Sequence, residues 1–215
     1  MTVSAQRKQD MIQMEYASGF LKALYSEKVY TQETYNYSGV TCYIFKGTTD
    51  AGSAEKLVAF KAALTSVVEF GFTPPPVMRV YCMSSGNVQN RVFTRDPGWN
   101  AIYYITLGPT TCTPSSVASI SNSVHPGFTK GHVTCIHELG HVLHAARLGE
   151  NFLAVNAEGG CTGAPSGANA VQVSGYAGGA KKEFVAETFA GMVIGRTYSA
   201  EVMKEYRLYN GPEVG

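Results

Sequence analysis

The chain has 215 residues, of which 45% are hydrophobic and 15% charged, and its formal net charge is +1. This length and composition predict a globular protein that can bury a substantial core. The small net charge gives no field that would attract nucleic acid or an anionic membrane surface. No apolar run in the sequence approaches the roughly 20 residues of a membrane-spanning helix. Neither nucleic-acid binding nor a membrane span is therefore expected.

Hydrophobic periodicity in the first 107 residues alternates between helical and strand-like spacing. Two helices are predicted, over residues 6–28 and 53–70, and the second is ended by Gly71 and the prolines at 74–76. Segments rich in β-branched and aromatic residues predict four strands, and the third is expected to return beside the second. These strands cover residues 40–46, 77–83, 88–94 and 101–107. Residues 30–37 are typical of either a loop or an irregular strand.

The second half of the chain combines three predicted helices with two long loops. The helices cover roughly residues 134–148, 181–194 and 199–209. A loop at 108–131 precedes the first helix, which is expected to end at Gly149. Seven glycines within residues 156–180 predict the second loop. His125 and His132, in and just after the first loop, are interpreted as ordinary polar residues rather than metal ligands.

Together these elements predict an α+β fold, in which a small mixed sheet packs against the helix at 134–148 and the C-terminal part is helical. We expect one domain over 1–215, with a sheet-containing lobe up to about residue 149 and a helical lobe after it. The five cysteines show no C-x-x-C spacing, which argues against a structural zinc knuckle, and all five are expected to be reduced, the alternative being a disulfide between Cys112 and Cys161 in an oxidising compartment. They are Cys42, Cys82, Cys112, Cys135 and Cys161.

Residues 137–141 read His-Glu-Leu-Gly-His, an H-E-x-x-H motif inside the helix predicted over 134–148. Residues four apart lie on the same helix face, so His137 and His141 can direct two imidazole nitrogens at one metal ion. Glu138 is placed to reach a water on that ion, an arrangement typical of zinc hydrolases. A shuffled chain of this composition would contain the motif under about one time in a hundred. The apolar neighbours of the motif argue against a solvent-exposed helix.

A catalytic zinc site usually has a third protein ligand. A histidine six residues after the second one is excluded, because Arg147 occupies that position. The best candidates are Glu183 and Glu187, which lie four residues apart on one face of the helix predicted over 181–194. The alternative is a solvated face, on which Lys181 and Lys182 act as counterions.

These features resemble the zinc metallopeptidases grouped around anthrax lethal factor, which include the bacterial Pro-Pro endopeptidases. The shared pattern is H-E-[apolar]-G-H, then a glycine-rich loop ending in a tyrosine, then a helix that carries E-F-x-A-E seven residues later. In this chain those parts are residues 137–141, Tyr176 and residues 183–187. The resemblance covers roughly residues 130–195.

The resemblance implies a zincin-like fold and a role for each residue of the pattern. His137, His141 and Glu183 would bind Zn²⁺. Glu138 would be the general base, and Tyr176 would help to hold the oxyanion. Glu187 would be a carboxylate that orients one of the ligands. In zincin folds an edge strand pairs with an extended substrate, so one of the strands between residues 88 and 107 is expected to line the cleft.

The implied function is a zinc-dependent endopeptidase, acting on a protein or peptide as a secreted bacterial protease or a toxin effector domain. The first thirty residues lack the apolar stretch of a signal peptide, which is compatible with delivery by a specialised secretion system or with a fragment of a larger toxin. A delivery partner or a cognate immunity protein would then be expected. The alternatives are a zinc hydrolase of cell-wall peptides and a catalytically silent binding protein of the same fold. Neither the cleaved bond nor the oligomeric state follows from the sequence.

Overall fold

The computed structural model describes residues 30–47, 53–82, 89–94, 101–107, 128–149, 152 and 163–215. The helix predicted over 6–28 lies outside the described residues, as do His125, Cys112 and Cys161.

Five strands form one mixed sheet. They are β1 (Tyr30–Tyr37), β2 (Val40–Gly47), β3 (Val77–Cys82), β4 (Gln89–Thr94) and β5 (Ala101–Leu107). Their order in space is β1-β2-β3-β5-β4. The three central strands run parallel, and each edge strand is antiparallel to its neighbour. All four predicted strands are thereby confirmed.

The structure decides one point that the sequence left open, the conformation of residues 30–37, and corrects another, the pairing of β4. Residues 30–37 form a regular strand that pairs with β2 along its whole length. The turn between them places Ser38 and Gly39 at positive φ, as a two-residue hairpin requires. The prediction that β4 returns beside β3 was wrong. Because β3 is already paired with β2 and β5, β4 pairs with β5 instead.

Five helices belong to the described part of the chain. They are α1 (Ser53–Glu69), α2 (Lys130–Leu148), α3 (Gly167–Val173), α4 (Lys181–Val193) and α5 (Ala200–Leu208). Helix α2 begins four residues before its predicted start, because the Thr129 hydroxyl accepts a hydrogen bond from the His132 amide and caps it. Helix α3 lies in the stretch predicted to be a loop, so that prediction was wrong there. Its apolar Ala170 and Val173 are buried.

The fold is mixed α+β, and α2 lies at its centre. Helix α1 connects the parallel strands β2 and β3 and packs on α2, where Ser66 bonds His132 at 3.0 Å. Helix α2 also packs against β4, β5 and α4. One buried core includes residues from both sides of position 149, among them Met78, Leu139 and Phe184. The predicted packing of the small mixed sheet against this helix is confirmed.

Three of the cysteines, Cys42, Cys82 and Cys135, are buried, and none of them forms a disulfide within the described part of the chain. Cys135 packs in the core at 1% exposure, which suits its small apolar character. Of the helices in the described ranges, none combines the length and the apolar character that crossing a membrane would need.

Candidate metal centre

The candidate centre lies where α2 packs against α4. All residues of α2 from 133 to 145 are buried, so the H-E-x-x-H motif is enclosed by protein. Gly140 allows the two helices to approach this closely. A Cβ atom at Gly140 would lie 2.8 Å from Phe189 Cδ1 and 3.4 Å from Ala186 Cα, both on α4. The glycine inside the motif therefore sets the distance between the two helices that carry the site.

The side chains of His137, His141 and Glu183 converge on one point. One ligand atom from each residue lies within 4.8 Å of the other two. Glu183 Oε2 is 3.3 Å from His137 Nε2 and 3.1 Å from His141 Nε2. The two histidines are 4% and 3% exposed. The three ligand atoms therefore face one another, as the ligands of a single cation do.

Glu187 lies on the far side of His137. His137 Nδ1 donates a hydrogen bond of 2.7 Å to Glu187 Oε1, and Glu187 is completely buried. This bond places the hydrogen of the neutral imidazole on Nδ1 and leaves Nε2 as the electron-pair donor that faces Glu183. His141 Nδ1 is also buried, and it bonds none of the described residues.

The carboxylates make the centre a strong binding site for positive charge. Burial would lower the pKa of His137, but the hydrogen bonds that its imidazole donates to Glu183 and Glu187, and the charges of the carboxylates, raise it to about 10. Burial would raise the pKa of Glu183, but its bonds to His137 and His141 hold that pKa well below its usual range. The centre therefore holds a proton at neutral pH that a divalent cation can replace.

Glu138 and Tyr176 border this group of three. Glu138 is 9% exposed, and its charge contributes to the raised pKa of both His137 and Tyr176. The ring of Tyr176 lies 6.1 Å from the ring of His137 and is 44% exposed. Burial and the charges of Glu183 and Glu138 raise the pKa of Tyr176. Its hydroxyl therefore stays protonated and can donate a hydrogen bond towards the centre.

A compact turn fixes the backbone of Tyr176. The Ser174 hydroxyl accepts hydrogen bonds from the amides of Tyr176 and Ala177, at 3.3 and 3.1 Å. The Gly179 amide donates to the Tyr176 carbonyl, and Ala177 is fully buried beneath the turn. Tyr176 is thus carried by an ordered loop, although its own side chain is half exposed.

Glu205 of α5 holds the helix that leads into this turn. Its carboxylate accepts hydrogen bonds from the Ser166 amide at 2.6 Å, from the Asn169 side chain at 2.5 Å and from the Tyr209 hydroxyl at 2.5 Å. Burial would raise the pKa of Glu205, but these bonds lower it. The ionised carboxylate caps the start of α3, where the helix dipole favours negative charge.

The structure brings together all six residues that the sequence analysis proposed for the site. Three supporting residues were not predicted to have a role at the site: Gly140, Ser174 and Glu205. A glycine inside a helix is a signal of close packing, and a Ser-Gly pair is a signal of a turn, so the first two had a trace in the sequence. Glu205 had none, because a glutamate on a short helix normally faces solvent.

No protein-family model matches this chain, and no curated protein is significantly similar to it in sequence. The function of the chain is therefore inferred from the geometry of the centre.

Proposed function

We propose that this protein is a zinc-dependent metallopeptidase with a zincin-like fold, which hydrolyses bonds in a protein or peptide substrate. The observation that carries the proposal is the convergence of His137, His141 and Glu183 within 4.8 Å, with Glu138 next to His137 in the chain and the Tyr176 ring 6.1 Å from the His137 ring. Two helices that cross beside a mixed sheet, the first with H-E-x-x-H and the second with a glutamate ligand, support the zincin-like assignment.

The donor set fits Zn²⁺ better than it fits Mg²⁺ or Ca²⁺. Two imidazoles and one carboxylate form a ligand set known from catalytic zinc sites, which keep one position open. Mg²⁺ and Ca²⁺ prefer sites built from oxygen atoms alone. The bond between His137 Nδ1 and Glu187 is the carboxylate–histidine pairing that commonly orients a zinc ligand. These three arguments support zinc as the metal of the proposed centre.

The residues around the centre suit peptide hydrolysis. When bound, zinc would supply Lewis-acid activation of water and of the scissile carbonyl group. The Glu138 carboxylate accepts a proton from the water that attacks the carbonyl, and then delivers that proton to the leaving amine. The Tyr176 hydroxyl donates a hydrogen bond to the carbonyl oxygen as negative charge develops on it. Glu187 keeps the His137 ring in its binding orientation throughout.

The sheet offers a place for an extended peptide. Strand β4 is the edge strand next to β5, and α2 packs against both strands. The outer side of an edge strand has backbone amide and carbonyl groups that can pair with another chain. We therefore place the substrate along β4, beside the helix that carries His137 and His141. This arrangement favours a peptide over a substrate that has no peptide backbone to pair with the strand.

The test is cleavage of a mixed peptide library by the zinc-loaded protein, read by mass spectrometry, with the Glu138→Ala variant as the matched control. Glu138 is not a proposed ligand, so this variant should keep zinc and lose turnover. Cuts that appear only with the unaltered chain would support the proposal and identify the preferred bond. Equal cleavage by both proteins would remove Glu138 from the mechanism. An absence of cleavage by both, with zinc bound, would refute peptidase activity on these substrates.

A further inference from the structure

Two buried oxygen atoms near the centre bond none of the described residues. One is Oε2 of Glu187, and the other is the hydroxyl oxygen of Tyr198. The opposite oxygen of Glu187 accepts the hydrogen bond from His137 Nδ1. Burying a carboxylate oxygen without a hydrogen-bond donor is costly, so the position of a tyrosine hydroxyl near it is informative.

Gly191 shows where the Tyr198 hydroxyl lies. A Cβ atom at Gly191 would overlap this hydroxyl oxygen, so the hydroxyl rests directly on the α4 backbone. Gly191 follows Glu187 by four residues, on the same face of α4. Side chains at this spacing leave the helix about 5–6 Å apart. The Tyr198 hydroxyl therefore lies about 5–6 Å from the Cβ atom of Glu187, a separation that one water molecule can bridge.

The electrostatics agree with this placement. Burial raises the pKa of Tyr198 to about 12, and although Arg196 acts in the opposite direction, the Glu187 charge adds to the increase. The Arg196 guanidinium lies 5.4 Å from the centre of the Tyr198 ring and donates a hydrogen bond to the Val173 carbonyl at 3.1 Å. Tyr198 is thus held between α4 and the end of α3.

We propose that Tyr198 is a positioning residue of the metal centre, which donates its hydroxyl hydrogen through one ordered water to Glu187. The water would in turn donate to Glu187 Oε2, so that both carboxylate oxygens are bonded. A carboxylate fixed at both oxygens cannot rotate away from His137, and His137 keeps its Nε2 directed at the metal. The inference rests on the zinc site proposed above and extends it by one residue.

The experiment measures the zinc affinity of the full chain by competition with a chelator, for the unaltered protein and for Tyr198→Phe. Residues that orient a metal ligand typically contribute 10–100-fold to metal affinity. Because Tyr198 acts through water and Glu187, we expect Tyr198→Phe to weaken zinc binding by about three- to tenfold. The melting temperature of the metal-free protein should change little, because the aromatic ring is retained. Tyr206→Phe is the matched control, since that buried hydroxyl bonds the Pro212 carbonyl and should not affect zinc binding.

A double-mutant cycle with Glu187→Gln separates a positioning role from a general effect on packing. If Tyr198 acts through Glu187, adding Tyr198→Phe to Glu187→Gln should cause little further loss of zinc affinity. Fully additive losses would overturn the proposal, as would an unchanged affinity in Tyr198→Phe. Failure of the unaltered chain to bind zinc would instead overturn the metal centre itself. The two failures are therefore distinguishable.

Discussion

Replacing Gly140 by alanine tests whether the close contact of α2 and α4 sets the geometry of the centre. The new Cβ would lie 2.8 Å from Phe189 Cδ1, about 0.6 Å short of the 3.4 Å at which ordinary contact begins. It would also lie 3.4 Å from the Ala186 backbone. Phe189 and Ala186 flank Glu187 on α4, so relief of this overlap moves the carboxylates away from the histidines.

The magnitudes predict a modest loss of stability and a larger loss of function. Alanine favours the helix over glycine by about 0.5–1 kcal/mol, whereas overpacking a core costs about 1–3 kcal/mol. The net change should be a loss of about 0–2.5 kcal/mol. A metal site must be held within about 0.5 Å of its productive geometry, and the displacement needed here is of that size. We therefore expect zinc affinity to fall at least about tenfold.

The assay is urea unfolding of the metal-free protein, together with chelator competition for zinc. Gly167→Ala is the control, because a Cβ there meets no atom within 4 Å. Combining Gly140→Ala with Phe189→Leu should restore part of the zinc affinity, because leucine gives space to the new methyl group. A Gly140→Ala protein that is more stable than the unaltered chain, with the same zinc affinity, would refute this account of the helix contact.

Three further predictions concern the hydroxyl group of Tyr176, the protonation of His137 and the burial of His144. Tyr176→Phe should lower kcat by about 10²–10³-fold with a smaller change in KM, because an oxyanion donor acts mainly in the transition state. The measurement is steady-state kinetics on a cleaved peptide, and a change in KM alone would contradict this role. The metal-free protein should lose stability as pH rises from about 6.5 to 10. Folding raises the pKa of His137 to about 10, so the protonated imidazole stabilises the folded state fully below the pKa of the unfolded chain, and this stabilisation is lost as the pH rises to the folded value. Zinc binding strengthens over the same range as its ligands lose protons, so the difference in Tm between loaded and metal-free protein should widen with pH, and a constant difference would count against the centre. Burial lowers the pKa of His144 to about 4, so as pH falls from 6.5 to 4 the unfolded chain is protonated at this position before the folded protein is. The free energy of unfolding should therefore decrease by about 3 kcal/mol over this range. Urea unfolding should show a weaker dependence of stability on acidic pH for His144→Gln, and an unchanged dependence would refute this role.

The residues of the candidate centre could be proposed from the sequence because their chemistry is local. His137 and His141 are one turn apart on a single helix, and Glu183 and Glu187 are one turn apart on another. Such spacing is visible without knowing the fold. The runs of β-branched and aromatic residues that form the strands, and the glycines near their ends, are equally local. The ends of β2, β3, β4 and β5 were therefore predicted to within one or two residues.

The remaining features depend on contacts between distant residues. The pairing of β4 with β5 depends on which strand edge is already occupied, and no single segment specifies that. Helix α3 is too short to form alone, and it is capped by Glu205, almost forty residues later in the chain. The placement of Tyr198 on Gly191 similarly depends on the turn that comes after α4. These long-range contacts support the helix that leads to Tyr176 and, in our proposal, the orientation of Glu187, and sequence patterns do not reveal them.

The most direct test of the central claim is a zinc titration of the full chain, by calorimetry, alongside Glu183→Gln and Glu138→Gln. We expect one zinc per chain for the unaltered protein and for Glu138→Gln. We expect a large loss of affinity for Glu183→Gln, because that variant removes a proposed ligand carboxylate. Full-affinity binding by Glu183→Gln, or no binding by the unaltered chain, would contradict the assignment of His137, His141 and Glu183 as a metal centre.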